Sequence, residues 1–242
     1  EGNQTSAADS SSFIKKINAW FWLDAVDVKI DSPVEGAVVT LGDSITDGVH
    51  STLNADHRWP DFLSDRLNES NSSLNMSVLN AGISGNRILR DTVTHGVKVL
   101  DRLNRDVFSR SGVTDVILLE GINDIGGLPH TFDANQIISG MKRIIELAHE
   151  HGLKIYGGTP TPFQGARPGY YTARGEKTRE AVNDWIRSGG AFDGVIDFDK
   201  ALRDPNHPLR LLPKYDSGDH LHPNDSGYKA MAEAVDLSML AK

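Results

Sequence analysis

Ser44 lies in "AVVTLGDSITDG", residues 37–48, two positions beyond an apolar, β-branched run (Val38, Val39, Thr40, Leu41) that stops at Gly42. A hydroxyl placed where a buried strand turns into a helix is held rigidly. The neighbouring backbone N–H groups and the helix dipole there favour a developing negative charge. Serine is a weak nucleophile until a base takes its proton. Of the nine histidines, His222 alone combines a loop position, a nearby carboxylate (Asp219) and a helix start at residues 223–225. Asp219 can accept the imidazole N–H, fix the tautomer and stabilise the imidazolium. A tetrahedral intermediate also needs donors for its oxyanion. Gly85, lacking a Cβ, can turn its N–H inward, and Asn123 offers a neutral amide. With the Ser44 N–H these make three donors, each worth about 2.7–4 kcal/mol of barrier.

Plainer roles remain open for the same residues. Ser44 also suits a helix N-cap, and Gly82 is an alternative donor to Gly85. Asp43 either faces the site or bonds the turn. Asn86 and Arg87 either line a pocket or tie their own loop. Tyr170 and Tyr171, in the Pro/Gly-rich loop 159–172, either shape a substrate groove or pack it. His220 and His222 with Asp219 and Asp225 form a possible metal set, but His-x-His alternation points the two rings apart, so no metal and no cofactor are expected. His149 and His151 end an amphipathic helix, where cations suit the dipole.

These residues must be positioned by the elements around them. Strand-like apolar runs occur at 37–41, 76–79, 115–119, 153–157 and 194–198. Helical spacing links Phe62, Leu63 and Leu67; Val97, Leu100, Leu103 and Val107; Ile137, Met141, Ile144, Ile145 and Ala148; and Val182, Trp185 and Ile186. Tyr228, Met231, Ala232 and Val235 close the series. Alternating strands and helices predict an α/β fold, a three-layer α/β/α sandwich around a parallel five-stranded sheet. Sites in such sheets form beyond the carboxyl ends of the strands. "GDSITDG", "NAGISGNR" and "EGINDIGG" follow three of the predicted strands, and "GDHLHPND" precedes the last helix.

The order Ser, Gly, Asn, Asp-x-x-His across "GDSITDG", "NAGISGN", "GINDI" and "DHLHPN" resembles the SGNH hydrolases, also called GDSL esterases/lipases. The resemblance spans about residues 36–236. It implies a flavodoxin-like fold, with Ser44 as nucleophile and His222 as base oriented by Asp219. The Ser44 N–H, Gly85 and Asn123 would form the oxyanion hole. No G-x-S-x-G elbow, P-loop or G-x-G-x-x-G is present, which removes the main support for an α/β-hydrolase, an NTPase or a dinucleotide enzyme.

The net charge is −8, from 25 Lys+Arg against 33 Asp+Glu. Without a long basic cluster, nucleic acid is not an expected partner. No stretch is long and apolar enough for a transmembrane helix. The absence of cysteine excludes disulfides and a thiol nucleophile. Asn-x-Ser/Thr acceptors stand at Asn3, Asn68, Asn71, Asn75 and Asn224, against about two expected by chance, which favours a secreted glycoprotein. The chain opens on Glu1 and is expected to be mature or trimmed. Residues 1–35 read as a lead-in, with Trp20, Trp22 and the strand-like alternation of Ala25, Val26, Val28 and Ile30 suggesting the remnant of a removed β-rich domain. Residues 36–242 read as the catalytic domain. The expected activity is cleavage of carboxylic esters through an acyl-enzyme, with short acetyl groups on carbohydrate as the expected substrate. Longer-chain lipase or lysophospholipase activity and a non-catalytic carbohydrate-binding module are the alternatives.

Overall fold

A computed structural model describes residues 35–69 and 74–240, together with positions 8, 9, 11 and 25–29. Residues from Pro33 onward form one compact unit. Five parallel strands, β1 (Gly36–Gly42), β2 (Met76–Gly82), β3 (Val113–Leu119), β4 (Lys154–Gly158) and β5 (Gly194–Ile196), lie in the order β2-β1-β3-β4-β5. The helices are α1 (Ser44–Asp47), α2 (Trp59–Asn68), α3 (Val99–Leu103, continued by a π-helical turn to Phe108), α4 (Ile122–Gly126), α5 (Ala134–Glu150), α6 (Ala173–Ser188), α7 (Phe198–Leu202) and α8 (Asp225–Glu233).

Alternation along each strand sends neighbouring side chains to opposite faces, and both faces are covered. Val39, Leu41, Val116, Leu118 and Ile155 pack with apolar residues of α3, α5 and α6. Val38, Ile117, Leu119, Tyr156 and Ile196 pack with Trp59 and Leu63 of α2, Phe198 of α7 and Tyr228 and Met231 of α8. This is the expected α/β/α sandwich.

Several boundaries differ from the sequence expectation. β5 stops at Ile196, because Asp197 leaves the strand to cap α7, its carboxylate accepting from the Lys200 N–H. The second amphipathic stripe is Val99, Leu103 and Val107, while Val97 precedes the helix and is exposed. Among residues 25–29 there is no strand, and Val26 and Val28 are both exposed. The Trp20 and Trp22 expectation lies outside the described residues.

Register sets the site. Gly42 pairs with Gly82 of β2 on one side and Leu119 of β3 on the other. Three strands therefore end level, and their following loops start from one rim. β1 and β3 flank the reversal in strand order where open α/β sheets bind ligands.

Candidate active site

Asp43, the first residue past β1, caps α1, its Oδ1 accepting from the Ile45 N–H at 2.9 Å. With the cap role filled by Asp43, Ser44 becomes the first helical residue. Its Oγ lies 2.8 Å from His222 Nε2. On the far side of the ring, His222 Nδ1 lies 2.5 Å from Asp219 Oδ2.

The Asp219-x-x-His222 turn largely builds itself. Asp219 Oδ1 accepts from the Leu221 N–H (2.9 Å), the His222 N–H (2.8 Å) and Ser217 Oγ (3.1 Å). Burial works to raise this carboxyl's pKa. The hydrogen bonds from the His222 ring and from the His222 and Leu221 N–H groups outweigh it and hold the pKa well below the ordinary carboxylate range. An ionised carboxylate can only accept, so the proton of neutral His222 sits on Nδ1. That leaves the Nε2 lone pair facing Ser44 Oγ. The arrangement can take the hydroxyl proton and stabilise the resulting imidazolium.

Asn123 sits on α4, in a single helical turn directly after β3. Its Nδ2 donates to Asp43 Oδ2 (3.2 Å), and its Oδ1 accepts from Tyr170 Oη (2.8 Å). The two contacts fix which way round the amide lies and leave one Nδ2 hydrogen free. Gly85 has φ +77, and a Cβ there would fall 2.4 Å from the His95 ring. Among the described residues the N–H groups of Ser44 and Gly85 meet no acceptor, whereas that of Gly82 donates to Asn80 Oδ1 at 2.9 Å. Gly85 thus has the free donor and Gly82 does not.

Other candidates are engaged elsewhere. Asn86 donates to His95 O (3.1 Å) and Val97 O (2.7 Å) and accepts from Arg102 Nε (2.9 Å), which uses its amide to tie the loop. Arg87 donates to Leu128 O (3.1 Å) and is buried. Tyr170 is buried against Asn123. The suggested metal set is split, since His220 bonds Asp216 (2.6 Å) and Asp225 bonds Thr52 and His57. Asn68 and Asn75 are exposed. Asn224 caps α8 and spends both amide hydrogens on Lys214 O and Asp216 O, which gives it a structural role. Asn3 and Asn71 lie outside the described residues.

Three residues near the site went unread in the sequence. Arg102, fully buried, donates to Gly42 O (2.9 Å), Ala81 O (2.7 Å) and Asp106 Oδ2 (2.9 Å), stapling the ends of β1 and β2. A charge inside the Val99–Val107 stripe was the available signal. His50 places Nε2 3.2 Å from Asp219 Oδ2.

Glu120, the third, is buried beside Asp43 and Arg102. Burial, then the Asp43 charge, raises the Glu120 carboxyl well above its usual range, and burial pushes Asp43 up to about 7. The unfolded chain releases such protons near pH ~4. The folded chain retains them longer, so both groups oppose folding progressively as pH rises from there, Asp43 up to about 7. Glu120→Gln should flatten that decline, read as Tm against pH.

A family model, the GDSL-like Lipase/Acylhydrolase family, matches residues 40–230. The chain belongs to that family. Carboxylic ester hydrolysis is accordingly the enzymatic class of this GDSL-like acylhydrolase. No curated protein sequence matches it. Solved structures share its fold at low identity. A carbohydrate acetylesterase from Sinorhizobium meliloti is 16% identical, with TM-score 0.62, covering 82% of this chain and 95% of that one. An aryl esterase from M. smegmatis, in an inhibitor-bound form, is 17% identical at TM-score 0.64, covering 81% and 94%. A variant of an acetyl-xylooligosaccharide esterase from Geobacillus Stearmophilus is 19% identical at TM-score 0.63, covering 88% and 97%.

Proposed function

We propose that Ser44, His222 and Asp219 are the nucleophile, base and orienting acid of an esterase that removes short acyl groups, acetyl above all, from carbohydrate. The continuous Ser44–His222–Asp219 relay carries this reading. In acylation His222 Nε2 takes the Ser44 proton as Oγ attacks the ester carbonyl. The Ser44 and Gly85 N–H groups and the free Asn123 Nδ2 hydrogen receive the oxyanion. The imidazolium then protonates the departing alcohol. Deacylation repeats the sequence with water in place of Ser44 Oγ, returning the acid and free enzyme.

The short-acyl preference is supported by the polar groups at the hydroxyl, the His222 ring and the Asn123 amide, whereas a long chain needs an apolar lining. The acetylesterase names among structures of the same fold lean the same way. A catalytic unit over residues 36–242, secretion, and glycan attachment at exposed Asn68 or Asn75 belong to the same reading.

A p-nitrophenyl ester series from acetate to palmitate, run beside acetylated xylo-oligosaccharides, tests it. kcat/KM should be highest for acetate and fall steeply with chain length, and acetate should be released from the oligosaccharide. An optimum at long chains would overturn the substrate assignment.

A further inference from the structure

His50 has no part in the steps above, yet it is delivered to the triad by strained backbone. It adopts φ +69, a left-handed conformation that costs a residue with a Cβ and persists only where the surroundings impose it. The impositions are visible on both sides. Tyr228 Oη donates to Val49 O at 2.5 Å, and the Ser51 N–H donates to Gly48 O at 3.0 Å. Thr52 bonds the Asp225 carboxylate twice, through its N–H at 2.8 Å and its hydroxyl at 2.6 Å. The result is an imidazole whose Nε2 lies 3.2 Å from Asp219 Oδ2, the atom that also meets His222 Nδ1. One ligand atom from each of His50, Asp219 and His222 lies within 4.8 Å of the other two.

We propose that His50 Nε2, Asp219 Oδ2 and His222 Nδ1 bind a zinc-class divalent cation, and that its occupancy switches ester hydrolysis off. Zinc with N and O ligands near ~2.0–2.2 Å needs them a little over 3 Å apart, so the 3.2 Å His50–Asp219 contact already fits and the 2.5 Å Asp219–His222 contact must open to admit the ion. Two imidazoles and one carboxylate select a borderline cation over hard, all-oxygen calcium or magnesium. His50 and Asp219 are 48% and 34% exposed at their side chains, which leaves an entry path and a water position on the cation. Asp219 supplies the negative charge.

The inhibition follows from proton bookkeeping and rests on the assignment of His222 as base. Neutral imidazole carries one proton. A cation on Nδ1 needs that nitrogen's lone pair, so the proton moves to Nε2, with no net gain or loss. Nε2–H then donates to Ser44 Oγ and cannot accept from it.

Chelator-stripped protein should be titrated with Zn²⁺ by calorimetry and with Co²⁺ by visible absorption, in parallel with the hydrolysis rate of p-nitrophenyl acetate. One equivalent of zinc should bind, the rate should fall with occupancy, and chelator should restore it. Millimolar Mg²⁺ or Ca²⁺ should do neither. His50→Asn retains a residue suited to the left-handed backbone but is too short to ligate, and should weaken zinc affinity by about tenfold or more. The inhibition curve should shift by the same factor. Absence of stoichiometric binding, or wild-type affinity in His50→Asn, would overturn the site. His50-dependent binding without inhibition would overturn the switch. Failure of the triad assignment itself would show separately, in metal-free protein, as a Ser44 that does not react with a fluorophosphonate.

Discussion

His222→Ala is expected to lower kcat for a short ester by about 10⁵–10⁶-fold, and Asp219→Asn by about 10⁴-fold, the scale seen when members of such triads are removed. The second figure has a local cause. Asp219 Oδ1 receives three donors, from Ser217, Leu221 and His222. An asparagine must therefore place its carbonyl oxygen there and its NH₂ where Oδ2 now stands. That NH₂ would face His222 Nδ1, which can only answer as an acceptor. The imidazole proton then moves to Nε2, and the base is lost while the fold is kept. Circular dichroism and Tm should stay near wild type while kcat collapses. Loss of activity accompanied by unfolding would instead mark Asp219 as a structural residue of its turn.

Asn123→Ala is expected to lower kcat by about 10²–10³-fold with little change in KM, because its free hydrogen matters most once negative charge has formed. The amide is held at both ends, by Asp43 and by Tyr170. Tyr170→Phe removes one end only and should cost less than Asn123→Ala, again in kcat. The kinetic check is a pair of full Michaelis curves for each variant. A rise in KM at constant kcat would mean that Asn123 binds the ground state rather than the oxyanion.

The parts of this site that were legible in the sequence are those written locally. The strands are short buried runs of β-branched and apolar residues, and α5 and α8 are long enough to show a helical period. Asp219 and His222 were legible because their contact spans only three residues and needs no knowledge of the sheet. The one-turn helices α4 and α7 were not, since five residues do not complete enough of a period to be recognised. Asn123 was therefore expected at the end of a strand and is found on α4.

Arg102 announced itself only as a charge in an apolar stripe. Its partners Asn86 and Gly42 lie 16 and 60 residues away, brought together by parallel crossovers. His50 gave no signal, because a left-handed backbone at a histidine is imposed by Tyr228 and Asp225 and not by residue type. Asn86 and Arg87 show the converse. Proximity to a site block suggested substrate contact, but Asn86 bonds its own loop and Arg87 bonds the segment after α4.

The central claim is that Ser44 is an activated nucleophile made so by His222. It is tested most directly by treating wild type and variants with a fluorophosphonate and locating the adduct by peptide mass spectrometry. A single adduct on Ser44, absent in Ser44→Ala and strongly slowed in His222→Ala, is the predicted result. Labelling of Ser44→Ala at the wild-type rate, or labelling of Ser44 that is indifferent to His222, would contradict it.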